Sequence, residues 1–161
     1  MADVLKYVSA EAKKLDMVFQ FDIVTIGTGK TQWFDTTPKN YILPEVKIAI
    51  GLTQSLIKGN DGWTTVFMEN HDQGRSVSRF AYDRPEYRVR SAKMLALMQA
   101  CLSGTQYVYQ GQEIGSVNAP KDSYPLENYL DISSQGYIEI VKDRHGADNA
   151  AEIDKAFDSL Q

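Results

Sequence analysis

The residues best suited to chemistry follow a short apolar run near the middle of the chain. Asn70, His71 and Asp72 come just after the letters VFME. A strand that ends here would place an amide, an imidazole and a carboxylate at one edge of a sheet. An imidazole and an ionised carboxylate can transfer protons, bind a metal ion or hold hydroxyl groups through charge-assisted hydrogen bonds. The stretch therefore predicts a polar site at the C-terminal end of a strand.

The residues alone leave several interpretations of His71 and Asp72. A metal site needs more ligands, but the other histidine, His145, lies in a polar tail, and neighbouring strand residues point to opposite faces. We therefore predict no metal. A serine hydrolase would need a nucleophile motif, and G-x-S-x-G is absent. A loop in which Asp72 caps the following turn and His71 bonds locally stays open beside a functional site.

A second candidate for chemistry is Gly29-Lys30-Thr31, which follows a β-rich run and looks like a phosphate-binding loop. The pattern G-x-x-x-x-G-K-[ST] requires a glycine at position 24, where this chain has Val24. Such a loop must also open directly into a helix, and the letters that follow, QWFDTTP, are poor helix sequence. We therefore predict that Lys30 binds no phosphate.

The elements that must position these residues alternate between strands and helices. Short β-rich runs predict three strands, at 17–24, 63–68 and 106–109. Apolar spacing and capping residues predict helices within 2–15, 44–57 and 85–103. This order is the signature of an α/β fold with a parallel sheet and right-handed crossovers. Ligand sites of such sheets lie at the C-terminal ends of the strands, where His71 and Asp72 fall.

Composition narrows the classes of protein. The chain has 161 residues, of which 43% are hydrophobic and 24% charged, which predicts one ordinary globular domain. A net charge of −4 argues against a nucleic-acid partner. No stretch approaches the roughly 18 apolar residues that span a membrane, so no membrane partner is predicted. The N-terminus lacks the layout of a signal peptide, which predicts a cytoplasmic location. The lone cysteine, Cys101, excludes an internal disulfide and is predicted to be buried.

Two motifs in order resemble a known family of enzymes. The letters ENHDQGRSVSRF, residues 69–80, are followed after one predicted helix by GTQYVYQGQEIG, residues 104–115. Together they resemble the α-amylase superfamily of retaining glycoside hydrolases (glycoside hydrolase family thirteen), and more narrowly its maltase, α-glucosidase and oligo-1,6-glucosidase branch. The upstream LDMVFQFD and the downstream SYPLENYLD are similar to the same family, so the resemblance runs over most of residues 3–141.

The resemblance implies a fold and a set of roles. The family fold is a (β/α)8 barrel, so the predicted strands correspond to barrel strands six to eight. The chain would be the C-terminal part of such a barrel, one partial catalytic domain over residues 1–161 without a second domain. Asp72 corresponds to the third catalytic carboxylate, which holds two hydroxyls of the glucose unit next to the scissile bond. His71 would hydrogen-bond the same sugar, and Gln73 and Arg75 would line or support its pocket.

The resemblance also predicts what surrounds that pocket. Residues 27–34 should border the sugar cleft. Trp33 and Phe34 could form part of a sugar-stacking wall there, although aromatic residues in a loop more often only pack. The side chains of the second motif are predicted to support the fold rather than to touch sugar: Gln110, Gln112 and Glu113. We expect the side chain of Glu69 to point away from the sugar.

The chain departs from the family in what it lacks. The family nucleophile belongs to a GFRxD motif after strand four, and the proton donor is a glutamate after strand five. No GFRxD motif is present, so we expect both groups upstream of Met1. Retaining hydrolysis needs a nucleophile and an acid about 5 Å apart, and the chain alone is predicted to be inactive. No cofactor is predicted, and the family's usual calcium ligands would also lie upstream.

Two hypotheses follow for the function. In the first, the chain is a fragment of a retaining α-glucosidase whose substrates are oligosaccharides of the maltose or isomaltose type. In the second, it is a truncated, non-catalytic homologue that binds sugar or another protein.

Overall fold

The fold alternates helices with short parallel strands, in a computed structural model that describes residues 2–27, 41–120 and 123–159. Its elements are α1 (Ala2–Val8), α2 (Leu43–Gln54), β1 (Thr65–Val66), α3 (Ser76–Phe80), α4 (Pro85–Ala100), β2 (Thr105–Gln106), α5 (Ile132–His145) and α6 (Ala150–Ser159). Short 3₁₀ turns lie at Gln112–Ile114 and Leu126–Asn128. The elements divide between two compact units, one within Met1–Ile26 and Tyr41–Val117, the other containing Asn118–Gln161. The assignment of the whole chain to one domain stays a prediction.

Three chain segments run parallel in the first unit. Val18 forms a parallel bridge with Thr64, and β1 pairs in parallel with β2, with Thr65 opposite Thr105. The Thr65 amide donates to the Val18 carbonyl at 3.0 Å. The segments are therefore neighbours in chain order, with α2 between the first and second and α4 between the second and third. This is the predicted parallel α/β arrangement.

The strands are shorter than predicted. The prediction of a buried strand over residues 17–24 was wrong: only Val18 pairs, and the chain turns at residues 22–27. Phe19 and Phe21 are about half exposed. β-propensity records how side chains fit a half-buried surface, whereas strand length depends on backbone partners, and the described residues give this segment a partner at one point. β1 and β2 likewise cover two residues each, so the extents predicted as 63–68 and 106–109 were too long.

The helices follow their local signals. α2 begins at Leu43 with Pro44 in its first turn, where the missing N–H of proline costs nothing. The Glu45 carboxylate accepts from the Ile42 amide at 3.2 Å, which satisfies one exposed donor of the helix start. Past its end the chain turns at Gly59 with φ of 76°. No helix in the described ranges is both long and apolar enough to cross a membrane.

Helix α4 packs against the core through Leu95, whereas the neighbouring Met94 and Leu97 are exposed. Leu95 is buried in a core with Ile23, Ala49, Met68 and Val77. Cys101 is exposed, so the prediction that it is buried was wrong. It follows the last residue of α4, and it is not among the residues that pack against this core, whereas its neighbour Leu102 is.

The second unit is a helix pair. Ile138 and Val141 on α5 are buried against Ala156 on α6, and the rings of Tyr129 and Phe157 meet edge to face at 4.7 Å between centroids. The Asp131 carboxylate caps α5 by accepting from the Ser134 amide at 2.7 Å. The sequence after Pro125 is weakly helical with much charge at its end, and α5 and α6 confirm that tendency.

Gly104 allows the chain to leave α4 and enter β2. Its φ is +135°, and a Cβ there would lie 2.7 Å from the Thr64 carbonyl oxygen and 2.9 Å from Val66 Cγ2. We expect Gly104→Ala to lower the free energy of unfolding by about 2 kcal/mol, through backbone strain and overlap with β1. Gly51→Ala is the matched control: Gly51 lies inside α2, and a Cβ there would meet nothing within 4 Å beyond the helix's own backbone, so alanine should stabilise that helix by up to about 1 kcal/mol. Urea unfolding of both variants tests the pair, and equal midpoints would contradict the strain argument.

Candidate functional site

The candidate site is a turn that follows β1. The Asp72 amide donates to Asn70 Oδ1 at 2.9 Å, and the Gln73 amide donates to the Asn70 carbonyl at 3.3 Å. Asn70 therefore caps the turn. The local-loop interpretation had assigned that capping role to Asp72. Because residues 71 and 72 lie in a turn, the argument that they point to opposite faces does not apply to them.

His71 and Asp72 form an exposed pair of polar groups. His71 Nε2 lies 3.2 Å from Asp72 Oδ2, and their side chains are 76% and 68% exposed. Such an exposed contact adds little to stability, but it leaves both groups accessible to a ligand. Within the described ranges, no three His, Cys, Asp or Glu side chains converge as metal ligands. The arrangement suits the recognition of hydroxyl groups by hydrogen bonds.

An ion pair with a buried carboxylate flanks this turn in the sequence, between Glu69 and Arg75. The side chain of Glu69 is 1% exposed, and Arg75 NH1 donates to its Oε1 at 2.9 Å. Glu69 Oε2 also accepts from the Ser76 amide at the start of α3. Glu69 is thus enclosed while His71 and Asp72 face solvent, and its carboxylate is occupied by structural partners.

Arg75 joins the turn after β1 to the loop after β2. Its NH1 also donates to the Gln110 carbonyl at 2.7 Å, and the guanidinium lies 5.3 Å from the centre of the Tyr109 ring. Gly111 has φ of +89°, and a Cβ there would lie 3.1 Å from Arg75 NH1. These contacts tie Arg75 to both loops, and its role in lining or supporting a sugar pocket stays a prediction.

The second motif is held by an amide network. Gln112 Nε2 donates to Gln99 Oε1 at 2.7 Å, and Gln99 Nε2 donates to the Tyr107 carbonyl at 2.8 Å. Gln112 Oε1 accepts from the Tyr109 amide at 3.2 Å. Both polar atoms of the Gln112 carboxamide are therefore engaged by the fold. The side chains of Gln110 and Glu113 are exposed.

Arg79 is the residue of this region that the sequence did not single out. Its NH1 donates to Gln73 Oε1 at 3.0 Å, and its NH2 donates to the carbonyls of Val24 and Ile26 at 2.7 and 3.2 Å. The Tyr41 hydroxyl donates to the Arg79 carbonyl at 2.9 Å. We call these five residues the Arg79 cluster. No local pattern marks Arg79, which stands between Ser78 and Phe80 and whose acceptors at Val24 and Ile26 lie far away in the sequence.

Burial governs the electrostatics of the Arg79 cluster. Burial lowers the pKa of the Arg79 guanidinium, and the nearby Tyr41 opposes that shift. Burial also raises the pKa of the Tyr41 hydroxyl, an effect that Arg79 partly offsets. Loss of solvent disfavours the charged form of each group, so the bonds to three protein oxygens must replace the water that Arg79 has lost.

Some predictions fall on parts of the chain without a description. Lys30, Trp33 and Phe34 belong to residues 28–40, which lie outside the described residues. The prediction that residues 27–34 border a sugar cleft therefore stays a prediction, as does the absence of phosphate binding at Lys30.

Comparison with known proteins decides the family. The family model for the alpha amylase catalytic domain matches residues 1–160. The chain belongs to the α-amylase family. This confirms the resemblance carried by the NHD turn and the QGQEIG loop. The chain is 45% identical over 144 residues to an α-glucosidase of Candida albicans, covering 89% of this chain and 25% of that protein.

Two further similarities place the chain within the family fold. It is 36% identical over 154 residues to the oligo-1,6-glucosidase IMA3 of Saccharomyces cerevisiae, covering 96% of this chain and 25% of the relative. The crystal structure of a Bacillus licheniformis trehalose-6-phosphate hydrolase matches 99% of this chain and 27% of its own, with 32% identity and a TM-score of 0.82. The fold is therefore part of a (β/α)8 barrel, and the chain spans about a quarter of the length of these relatives.

Proposed function

We propose that this chain is part of a retaining α-glucosidase that releases terminal α-linked glucose from oligosaccharides of the maltose or isomaltose type. The observation that carries the proposal is the exposed His71–Asp72 pair at the C-terminal end of β1, in a chain that is 45% identical to an α-glucosidase. Ligand sites of barrel enzymes are built at that end of the strands.

Each residue of the turn has a proposed task. Asp72 accepts hydrogen bonds from two hydroxyls of the glucose unit next to the scissile bond, and His71 bonds the same sugar. Gln73 borders the pocket, whereas Arg75 holds the turn through Glu69 and the Gln110 carbonyl. Such bonds accelerate the reaction only if they strengthen as the sugar approaches the oxocarbenium-like transition state. We propose no nucleic-acid or membrane partner for this chain. Its cytoplasmic location stays a prediction.

The nucleophile and the acid of this proposal are supplied by a longer protein. The relatives are about four times as long as the matched segment, and the family's GFRxD motif is absent from this sequence. Retaining hydrolysis without a nucleophile and a nearby acid has no low-energy route.

The 161-residue chain alone is therefore expected to hydrolyse maltose no faster than a buffer blank. Glucose release by the purified chain measures this, with the Asp72→Asn variant as the matched control. Turnover above the blank that Asp72→Asn abolishes would contradict the expectation of inactivity and would place a complete catalytic set in this chain.

The genomic sequence on the 5′ side distinguishes the two hypotheses. An in-frame GFRxD motif, followed by a strand that ends in glutamate, would support the α-glucosidase. A stop codon and a functional promoter directly before Met1 would instead favour the non-catalytic homologue.

A further inference from the structure

The Arg79 cluster holds a partly buried positive charge with no acidic partner among the described residues. The side-chain and main-chain acceptors described for Arg79 are neutral oxygens of Gln73, Val24 and Ile26. Its guanidinium also lies 4.8 Å from the centre of the Phe80 ring. Removing a charge from water without a counter-ion is costly. An apolar side chain could fill this part of α3 without that cost, so the guanidinium points to a task in orienting its acceptors.

The Gln73 carboxamide has a fixed orientation because a guanidinium can only donate hydrogen bonds. Arginine only donates hydrogen bonds, whereas a glutamine carboxamide carries an acceptor at one end and two donors at the other. Gln73 must therefore turn Oε1 toward Arg79 NH1, and its two N–H donors face the other way. The neighbouring Asp72 is a carboxylate, which accepts hydrogen bonds when ionised.

The other acceptors belong to a different part of the sheet edge. Val24 and Ile26 lie in the turn that follows the first parallel segment. The same NH2 group donates to both of their carbonyls. The Arg79 guanidinium therefore bonds both to the turn at residues 22–27 and to the Gln73 side chain. It holds these two parts of the chain in a single arrangement.

We propose that Arg79 is a positioning residue, which holds the Gln73 carboxamide with its N–H donors toward the sugar so that Gln73 and Asp72 together recognise neighbouring hydroxyls of the bound glucose unit. A sugar hydroxyl both donates and accepts, so a fixed donor beside a fixed acceptor matches it better than a carboxamide free to flip. This inference rests on the proposed function, because it requires a glucose unit at Asp72.

The test uses steady-state kinetics on maltose with the complete protein that carries this segment. Lysine presents one compact ammonium and cannot bond three acceptors in the fork geometry of arginine. Arg79→Lys should therefore raise KM roughly three- to tenfold, the effect of one lost hydrogen bond, while kcat changes less than about twofold because uniform binding is lost. Arg90→Lys, at an exposed position on α4, is the matched control and should leave both constants unchanged.

A double variant separates positioning from general support of the fold. Gln73→Leu should raise KM as much as Arg79→Lys, and the two together should raise it no further, because both remove the same contact. The inference would be overturned if the two increases in KM multiplied in the double variant, or if KM were unchanged in Arg79→Lys. A wild-type protein that releases no glucose from maltose would instead overturn the proposed function, and the inference with it.

A third variant keeps the test decisive if Arg79→Lys does not fold. Gln73→Glu preserves shape and places a carboxylate against the guanidinium, so the thermal unfolding temperature should stay equal or rise. It also removes the outward N–H donors, so KM should still rise roughly three- to tenfold. A Gln73→Glu variant with unchanged KM would show that the donors of Gln73 meet no sugar.

Discussion

Asp72→Asn in the complete protein is expected to lower kcat/KM for maltose by roughly a hundredfold to ten-thousandfold. The proposed task of Asp72 is to accept two charge-assisted hydrogen bonds from the glucose unit. Each such bond contributes about 1.5–3 kcal/mol, and each 1.36 kcal/mol corresponds to a tenfold change in rate. Asparagine has the same size but lacks the charge, and it replaces one acceptor oxygen with a donor. The loss should appear in kcat as well as in KM, because the bonds are proposed to tighten in the transition state.

Exposure makes this substitution a clean probe of function. The Asp72 side chain is 68% exposed and its described side-chain contact is with the equally exposed His71. Its amide, which anchors the turn on Asn70 Oδ1, is unchanged in asparagine. Asp83→Asn, at an exposed position between α3 and α4, is the control and should change kcat/KM by less than about twofold. Circular dichroism checks the fold. An Asp72→Asn enzyme whose kcat/KM lies within about threefold of the wild-type value would contradict the assigned role.

Local signals were sufficient to predict α1, α2 and α4 and the position of the turn, whereas the short helix α3 was not predicted. Pro44 and Glu45 mark the start of α2 because the requirements of a helix terminus are met within one turn of sequence. His71 and Asp72 could be placed at a strand end because the change from apolar to polar residues is also local. Their proximity to each other was missed, since the strand period was applied to residues that lie in a turn.

Contacts between distant segments could not be predicted in this way. Arg75 reaches the Gln110 carbonyl and Arg79 reaches the Val24 carbonyl, across 35 and 55 positions of sequence. The strand end that each arginine contacts depends on how the segments pack. The sequence around each arginine is typical of an ordinary charged helix start. The same holds for strand length, because Phe19 and Phe21 have the β-propensity of a buried strand and yet lie half exposed.

The largest effect on stability is expected at Glu69. Its carboxylate is enclosed with Arg75 and with the Ser76 amide, so Glu69→Ala removes the partner of a largely buried charge and leaves a helix-start donor unsatisfied. Removing one member of a buried ion pair costs about 3–5 kcal/mol. We expect a loss near the lower end, about 3 kcal/mol, because the Arg75 side chain is 28% exposed and water can partly compensate it. Urea unfolding measures this loss.

Two further variants turn that expectation into a test of mechanism. Glu86→Ala removes an exposed carboxylate from the first turn of α4 and should cost about 0.5 kcal/mol or less. Glu69→Gln keeps an acceptor oxygen for one of the two donors, but it loses the charge and turns an N–H group toward the other donor. Its cost should therefore lie between those of the two alanine variants. If Glu69→Ala does not fold, Glu69→Gln alone decides. A Glu69→Gln protein as stable as wild type would mean that the ion pair contributes nothing to holding the turn that carries His71 and Asp72.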